Sequence, residues 1–243
     1  MKFIMYAAGQ NRRFASMLDG KPKGLVNVGG KMLIEYGLSW MASYNPTEII
    51  IVVGYKKELF QEVLGSSFRG IPIIYIYNEY YNLHGNMSSL WAAKDYCDDD
   101  TIFTVSDLLC DKKNIDAFML NKNKTKILID KNNTLFSDPD PVKVSITNGK
   151  ISKILKKIPS DQIDGIAIGV YMLSKKMIQL LLSKIELYFN KNNYDLSLYY
   201  AINDLVEENP ISPVYCLDSN WYDVDTPKEL NMLNTIIKEN HYY

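Results

Sequence analysis

A short apolar strand near the start of the sequence ends in small residues and is followed by basic ones. An Ala-Ala-Gly run closes it at 7–9, Arg13 follows, and a Pro-Lys pair ends at Lys23. A glycine directly after a strand lets the backbone approach a ligand closely, with its N–H groups facing an anion. Arg13 and Lys23 carry permanent positive charge suited to a polyphosphate. The segment predicts a phosphate-binding loop; the alternative is a tight turn with solvated charges.

The first half of the chain alternates short β-rich apolar runs with amphipathic stretches. The pattern predicts strands at 2–8, 48–55, 71–78 and 101–107, and helices at 34–44, 56–65 and 86–97. Continuous Ile and Val runs indicate strands that are buried on both faces between helices. This order predicts a mostly parallel sheet with right-handed crossovers, in which ligands bind at the carboxyl ends of the strands.

The second half changes character. Residues 124–130 and 142–155 read as antiparallel strands, the latter a hairpin turned on Asn148-Gly149. The pattern further predicts strands at 166–173 and 213–218, and helices at 175–189, within 191–209 and at 226–240. We therefore expect one α/β domain over 1–243, a mostly parallel Rossmann-like sheet flanked by helices with a small antiparallel β elaboration.

The composition is that of an ordinary globular protein. Of its 243 residues 47% are hydrophobic and 23% are charged, and the net charge is −1. This balance gives no electrostatic reason to expect nucleic-acid binding. No apolar run approaches the roughly 18–20 residues that membrane insertion needs. Cys97, Cys110 and Cys216 lack CxxC spacing, so we expect neither a zinc site nor a disulfide framework, and a cytoplasmic setting.

Six motifs in a fixed order strengthen the interpretation of the opening loop. They are Ala7-Ala8-Gly9 with Arg13 and Pro22-Lys23, then His84-Gly85-Asn86-Met87-Ser88-Ser89-Leu90-Trp91, Val105-Ser106-Asp107, Val142-Lys143-Val144, Asp164-Gly165 to Gly169, and Trp221-Tyr222-Asp223-Val224-Asp225-Thr226-Pro227. In these motifs the chain resembles the nucleotidyltransferase superfamily. Within it, the chain resembles the cytidylyltransferases that act on phosphocholine and on aminoalkylphosphonates such as 2-aminoethylphosphonate. One departure is Asn11, where the family has a second loop glycine.

The resemblance implies a magnesium-dependent enzyme that transfers CMP from CTP to a small phosphorylated acceptor. It implies a nucleotide-binding half over 1–110 and an acceptor-binding half over 111–243. Magnesium prefers hard oxygen ligands, and one or two carboxylates suffice. Asp107 and Asp225 fit this requirement, because both end apolar β-like runs that a sheet can bring together. Asp223 is ranked below them and is expected to orient the site or to bind through water.

The resemblance also implies a role for each remaining polar residue. Arg13 and the amides of 9–11 hold the β- and γ-phosphates, and Lys23 contacts the α-phosphate or its leaving oxygen. Lys156 neutralises the acceptor phosphate, and Lys143 is a weaker candidate for this role. The alternative is that Lys156 is an ordinary solvated surface lysine. Ser88 and Ser89 either bind the base or cap a helix. The implied nucleotide-binding residues are Ala7, Ala8, Gly9, Asn11, His84, Asn86, Ser88 and Ser89.

The implied acceptor pocket is aromatic and acidic. Tyr199 and Tyr200 align with an aromatic pair that lines the choline pocket in the resembling enzymes. Trp91, Trp221 and Asp140 complete a pocket for a cation. A methylated ammonium prefers rings, whereas a primary ammonium also needs hydrogen-bond acceptors. The sequence therefore leaves the acceptor open between primary and quaternary amines.

Other functions share part of this pattern. A sugar-1-phosphate nucleotidyltransferase has the same loop, lysine and aspartates, but the Asn-x-x-Ser-Leu-Trp segment and the short chain favour a small acceptor. Asn11 leaves a catalytically silent nucleotide-binding module as an alternative, although the joint retention of Arg13, Lys23, Asp107 and Asp225 argues against it. A glycosyltransferase would normally have a D-x-D motif where this chain has Ser106-Asp107-Leu108. A dinucleotide oxidoreductase would have a GxGxxG motif after the first strand, and this sequence has none there. The resemblance permits a monomer or a homodimer.

Overall fold

The computed structural model describes residues 1–10, 20–83, 86–193 and 196–240 of the chain. Within these ranges the strands are β1 (Lys2–Ala7), β2 (Asn27–Val28), β3 (Lys31–Met32), β4 (Ile49–Val53), β5 (Ser67–Phe68), β6 (Ile71–Tyr77), β7 (Thr101–Val105), β8 (Leu108–Cys110), β9 (Lys126–Asp130), β10 (Val142–Thr147), β11 (Lys150–Leu155), β12 (Gly165–Leu173), β13 (Ser212–Tyr215) and β14 (Trp221–Asp223). The helices are α1 (Leu33–Ala42), α2 (Lys57–Leu64), α3 (Met87–Ala92), α4 (Lys112–Leu120), α5 (Lys175–Phe189), α6 (Leu198–Asn203) and α7 (Pro227–Asn240).

Strands from the first half of the chain build the parallel part of the central sheet. They lie in the order β7-β1-β4-β6, and neighbouring strands are parallel. Every residue of β4, which reads IIIVV, is buried, as expected for a strand covered on both faces. The predicted parallel sheet is therefore confirmed, and the carboxyl ends of these strands share one edge.

An antiparallel extension continues the sheet beyond β7. β12 pairs antiparallel with β7, with Tyr171 opposite Phe103, and then with β10. β10 and β11 form the predicted hairpin. Its turn residues Asn148 and Gly149 have φ angles of 52° and 71°, as a type I′ turn requires. β9 pairs antiparallel with β12 as expected, but it pairs parallel with β13, which the sequence did not indicate.

Helices cover both faces of this sheet. α3, α5 and α6 bury apolar residues such as Leu181 against one face, and α1, α2 and α4 bury residues such as Phe60 against the other. α7 forms a smaller cluster, in which Leu233 and Ile237 pack with Val28 of β2 and Leu33 of α1. In the described part of the chain, every helix is too short or too polar to cross a bilayer.

The elements β8, α4 and β14 are missing from the sequence-based prediction. β8 and β14 have three residues each, too few to leave a periodic signal. α4 begins after Asp111, whose carboxylate accepts a hydrogen bond from the Lys113 N–H at 3.1 Å. It buries Asn114 beside Ile115 and Phe118, so a polar residue interrupts its apolar face. The Asn114 side chain holds the chain that leads from β13 to β14.

Candidate active site

The β8–β14 ladder brings together two acidic segments that lie far apart in the sequence. β14 pairs antiparallel with β8, and Asp223 lies opposite Leu108. Val224 then donates its N–H to the Asp107 carbonyl at 3.3 Å. Carboxylate oxygens of Asp107, Asp223 and Asp225 lie within 4.8 Å of one another. We call these three residues the acidic cluster; it brings together both predicted metal ligands.

The ammonium group of Lys23 lies inside the acidic cluster. Its Nζ is 2.6 Å from Asp107 Oδ2 and 2.7 Å from Asp225 Oδ1. A third carboxylate oxygen, Oδ1 of Asp223, is 3.9 Å away. Lys23 is only 3% exposed, so these contacts form in a poorly solvated place where charge interactions are strong.

A short helical turn positions Lys23. It is a 3-10 turn over Lys23–Leu25, preceded by Pro22 with a φ of −60°, the angle that the proline ring enforces. Gly24 lies against the residue that follows β7. A Cβ at position 24 would be 3.3 Å from the Ser106 side chain, so the absence of a side chain there brings Lys23 close to Asp107.

The charges in the acidic cluster shift one another's pKa values. Burial lowers the pKa of Lys23, but the carboxylates of Asp107, Asp223 and Asp225 outweigh it and raise that pKa above its ordinary value. Partial burial, followed by the negative charge of Asp107, raises the pKa of Asp223 above its ordinary value. Among the described residues, the Lys23 ammonium group offsets these three acids only in part, as the raised pKa of Asp223 indicates, so the acidic cluster favours a further cation.

The acidic cluster fits a divalent metal ion by its chemistry. Its donors are carboxylate oxygens, the hard ligands that magnesium prefers in proteins. The side chains of Asp223 and Asp225 are 49% and 30% exposed, so an ion held by them would keep water ligands and reach a phosphate.

The start of α7 holds Asp225 in place. The Glu229 carboxylate accepts hydrogen bonds from the N–H groups of Asp225 and Thr226, both at 2.7 Å. The Glu229 N–H donates in return to Thr226 Oγ1 at 3.3 Å. This reciprocal arrangement is a capping box, which fixes the chain at the first turn of a helix. Glu229 was not among the predicted site residues, although its Thr-x-x-Glu spacing is visible in the sequence.

A cleft of about 840 Å³ opens beside the acidic cluster. It is lined by residues of β12, of the segment 130–142, of β14 and of the start of α7. Six of the predicted site residues line it: Asn86, Asp140, Lys156, Tyr199, Trp221 and Asp225.

β12 changes register where it lines the cleft. Its pairing with β9 shifts between Ala167 and Tyr171. Gly169, within this interval, has a φ of 89°, a region in which glycine alone is free of strain. A Cβ at position 169 would lie 3.1 Å from Val105 Cγ2. Gly169 therefore allows β12 to pass close to the end of β7 on this side of the cleft.

Lys156 and Asp140 form an ion pair in the cleft, with Nζ 2.7 Å from Oδ1. Both side chains are partly exposed, so this pair can exchange partners with a ligand. Lys143, the weaker alternative, is buried and donates to the carbonyls of Asp138 and Pro141. Lys143 therefore holds the loop before β10, and Lys156 is the lysine that lines the cleft.

The predicted base-binding segment has partners within the protein. The buried Asn78 donates its side-chain N–H to Ser88 Oγ at 3.0 Å and to Ser89 Oγ at 3.3 Å. Asn86 Oδ1 accepts a hydrogen bond from the Leu198 N–H, at the start of α6, at 2.8 Å. These contacts fix the segment 86–89 beside the cleft, and recognition of a base by it stays a prediction.

The aromatic residues predicted for the acceptor pocket divide into two groups. Tyr199 and Trp221 line the cleft, and Tyr199 is nearly buried. Trp91 lies under a lysine, with Lys94 Nζ 4.0 Å from its ring centre. Within the described residues, neither Trp91 nor Tyr200 is part of the cleft lining, and Tyr200 is 46% exposed.

β1 ends inside the Ala-Ala-Gly run, one residue before the end predicted for this strand. The strand ends at Ala7, and the Ala8 carbonyl accepts a hydrogen bond from the Tyr55 N–H at 3.3 Å. A Cβ on Gly54 would lie 2.6 Å from that carbonyl, so a second glycine, which the sequence analysis missed, shapes this loop. Gly9 lies exposed after it. Three predicted site residues lie outside the described residues: Asn11 and His84, predicted to bind the nucleotide, and Arg13, predicted as catalytic.

A buried carboxylate in the cleft wall was also missed. Asp130 ends β9, is 5% exposed and lines the cleft. Its Oδ2 accepts a hydrogen bond from Trp221 Nε1 at 2.6 Å, and its Oδ1 accepts from Ser219 Oγ at 3.1 Å and from the Asn132 N–H at 2.9 Å. The signal that could have found it is the one that marked Asp107: an acid that ends a buried apolar strand.

Comparison with known proteins places this site in a family. Residues 4–125, half of the chain, match the family described as MobA-like NTP transferase domain. Among solved structures, the inositol-1-phosphate CTP transferase from T. maritima is similar, with a TM-score of 0.79 and 21% identity. The match covers 98% of this chain and 96% of the other, and it shows that the two share a fold.

Three known proteins are similar in sequence. The CTP:phosphoglutamine cytidylyltransferase of Campylobacter jejuni is 24% identical, over 96% of this chain and 98% of its own. The choline-phosphate cytidylyltransferase of Streptococcus pneumoniae is 37% identical, over 39% of this chain and 40% of its own. The UTP–glucose-1-phosphate uridylyltransferase AglF of Haloferax volcanii is 29% identical, over 44% of this chain and 43% of its own. The last two matches span less than half the length of the relative.

Proposed function

The chain belongs to the MobA-like NTP transferase domain family and is a nucleotidyltransferase, and we propose that it transfers CMP from CTP to a small phosphorylated amine or aminoalkylphosphonate. Phosphocholine and 2-aminoethylphosphonate represent the two kinds of acceptor, and pyrophosphate is the second product. The similarity to the phosphoglutamine and choline-phosphate cytidylyltransferases supports the choice of CTP.

The charge of the cleft is the observation on which the acceptor class rests. Among the described residues that line it, Lys156 is the basic one and six are acidic: Asp130, Asp138, Asp140, Asp223, Asp225 and Glu229. A wall of this kind suits a molecule with a phosphate at one end and an ammonium group at the other. The hydroxyl groups of a sugar phosphate can also donate hydrogen bonds to carboxylates, but they bring no positive charge to this acidic wall as an ammonium group does.

The proposed reaction is an in-line displacement. An oxygen of the acceptor phosphate or phosphonate attacks the α-phosphorus of CTP, and the bond from that phosphorus to pyrophosphate breaks. The attacking oxygen is already anionic, so the site needs no residue to remove a proton. Neutralising charge and aligning two anions are the tasks that remain for the protein.

Three basic side chains share these tasks in our assignment. Lys23 binds the α-phosphate and the oxygen that leaves with pyrophosphate, because its ammonium group lies next to the acidic cluster. Arg13, with the amides of 9–11, binds the β- and γ-phosphates. Lys156 gives up its contact with Asp140 and binds the acceptor phosphate.

Nucleotidyltransferases of this family generally use a divalent metal, and we assign magnesium to the acidic cluster. Asp107 and Asp225 would hold it, with Asp223 bound directly or through water. Magnesium supplies positive charge that offsets the charge of the triphosphate. An ion held by Asp107 and Asp225 would also offset their negative charge, and the Lys23 ammonium group would then be available to the nucleotide.

A sugar-1-phosphate nucleotidyltransferase is the second candidate. The similarity to the UTP–glucose-1-phosphate uridylyltransferase favours it, and the same Lys23, Asp107 and Asp225 would serve that reaction. The two candidates differ in nucleotide and acceptor, so one experiment separates them.

Pyrophosphate release tests the proposal. The purified protein is assayed with magnesium, and CTP, UTP, ATP and dTTP are crossed with phosphocholine, 2-aminoethylphosphonate, phosphoethanolamine and glucose 1-phosphate. We expect release with CTP and an amine-bearing acceptor. Asp107→Asn should abolish it, whereas Asp98→Asn, a change of an exposed carboxylate outside the site, should not. Release with UTP or dTTP and glucose 1-phosphate alone would establish the second candidate.

A further inference from the structure

Asp130 is a carboxylate buried in the cleft wall without a cation beside it. Its three hydrogen-bond partners, the Trp221 indole, the Ser219 hydroxyl and the Asn132 amide, are all neutral donors. Among the described residues, no lysine or arginine nitrogen lies within 4.0 Å of it. A buried charge without a counter-ion is costly, and proteins rarely retain one without a function.

Asp140, which the sequence analysis assigned to the acceptor's ammonium group, is in a different situation. It already pairs with Lys156 at 2.7 Å, and its side chain is 38% exposed. Solvent and Lys156 therefore offset its charge before any ligand arrives. Among the described residues that line the cleft, Asp130 is the buried carboxylate without a lysine or arginine nitrogen within 4.0 Å.

We propose that Asp130 forms the subsite for the ammonium group of the acceptor. This inference rests on the proposed function and identifies the residue that recognises the amine. A carboxylate has about four acceptor positions, and the three protein donors leave one, on the oxygen that Trp221 contacts. That position suits one N–H group of a protonated amine. The distribution of charge then matches the acceptor: Lys156 takes the phosphate end, and Asp130 takes the ammonium end.

Paired acceptors that differ only in charge at one end test the subsite. 2-Aminoethylphosphonate and propylphosphonate have the same length, with an ammonium group in one and a methyl group in the other. Phosphoethanolamine and propyl phosphate form a second such pair. The quantity to measure is the preference, the ratio of kcat/KM for the ammonium member to that for the methyl member. Asp130→Asn keeps an acceptor for the Trp221 indole but removes the charge.

We expect Asp130→Asn to lower the preference at least about tenfold, the effect of losing a hydrogen bond between charged groups, with an unchanged KM for CTP. Asp140→Asn, the same chemical change elsewhere in the cleft, should leave the preference intact. If Asp130 only positions Trp221, the variant will weaken both members of a pair equally, which would overturn the subsite. Loss of preference in Asp140→Asn alone would also overturn it, in favour of Asp140.

A second variant carries the test if Asp130→Asn does not fold. Asp130→Glu keeps the charge and moves it about one methylene further from the backbone. The acceptor with the highest kcat/KM should therefore become shorter, shifting from 2-aminoethylphosphonate towards aminomethylphosphonate. An unchanged preference for acceptor length would contradict the assignment of Asp130 to the ammonium subsite. Failure of the proposed function gives a different result: the wild-type protein would then transfer CMP to no amine-bearing acceptor in either pair.

Discussion

The Lys23 ammonium nitrogen lies 2.7 Å from Asp225 Oδ1, although 202 positions separate the two residues in the sequence. Lys23 comes from the loop after β1, and Asp225 comes from the segment between β14 and α7. The pair is largely buried on the lysine side, where breaking an ion pair costs far more than on a surface. This contact therefore ties the segment between β14 and α7 to the 3-10 turn that begins at Lys23 and keeps the three acids together.

Lys23→Met should destabilise the metal-free protein and make it more responsive to magnesium. The substitution removes the cation that lies 2.6 Å from Asp107 and 2.7 Å from Asp225, which should lower the free energy of unfolding by about 3 kcal/mol. Thermal unfolding with and without magnesium measures this effect. The ion should raise the Tm of the variant more than that of the wild type, because it replaces the missing charge.

Lys124→Met is the matched control for this substitution. Lys124 also lies 2.7 Å from an aspartate, Asp100, but its side chain is 73% exposed. Its loss should cost less than about 1 kcal/mol and leave the response to magnesium unchanged. Equal magnesium responses in the wild type and Lys23→Met would contradict the role given to Lys23.

Gly169→Ala should affect both stability and acceptor binding. A Cβ at a φ of 89° introduces strain of about 1–2 kcal/mol, and here it also meets Val105 Cγ2 at 3.1 Å. The free energy of unfolding should fall, and the KM of the acceptor should rise more than that of CTP. Gly149→Ala has a φ of 71° and open space around its Cβ, so it should show the strain without the change in KM. Equal acceptor KM values in Gly169→Ala and Gly149→Ala would contradict the role given to Gly169 in shaping the cleft.

Lys126 gives a pH dependence with a definite sign. Burial lowers its pKa from 10.5 to about 8, and its Nζ donates to the carbonyls of Phe118 and Asn121 at the end of α4. Between these two pH values the unfolded chain holds a proton that the folded protein has released. Unfolding therefore takes up a proton, and the free energy of unfolding should rise with pH across this range.

Lys126→Met isolates that contribution. Denaturant unfolding of both proteins between about pH 8 and pH 10.5 should show the wild type gaining roughly 2 kcal/mol relative to the variant. Parallel pH profiles would show that Lys126 keeps its ordinary pKa in the folded protein.

The parallel sheet and the hairpin were predictable because their signals are local. Continuous Ile and Val runs such as IIIVV mark doubly buried strands, and Asn148-Gly149 marks a type I′ turn. The contact between Lys23 and Asp225 has no local signal. It depends on the three-residue strands β8 and β14, and it was not predicted; the expectation was only that Asp107 and Asp225 come together.

The cleft residues show where a sequence stops being informative. Tyr199 and Tyr200 are adjacent in α6, yet only Tyr199 lines the cleft, because neighbouring helical residues project in different directions. Asp130 and Asp107 end similar apolar strands. Most acidic residues at strand ends are turn or helix-cap residues. Asp130 differs from them in being buried beside a cleft, which the sequence does not show.

Amines that carry an N–H group should be better acceptors than quaternary ones. A trimethylammonium group is bound by the faces of several aromatic rings. Of the four rings predicted for such a cage, Tyr199 and Trp221 line the cleft, and Trp91 and Tyr200 are not among its described lining residues. We expect kcat/KM to fall by about tenfold from phosphoethanolamine to phosphocholine. N,N-Dimethylphosphoethanolamine keeps one N–H and should stay near phosphoethanolamine; a higher value for phosphocholine would contradict the prediction.

The most direct test of the central claim is to observe the bond that forms. ³¹P NMR can follow the protein with magnesium, CTP and 2-aminoethylphosphonate. We predict that the phosphonate signal is replaced by a coupled pair from a phosphonate–phosphate anhydride, as pyrophosphate appears in equal amount, and that Asp107→Asn (at the acidic cluster) shows neither. If the phosphonate and phosphoethanolamine signals stay unchanged while glucose 1-phosphate is converted to a nucleotide sugar, the claim of cytidylyl transfer to an amine is wrong.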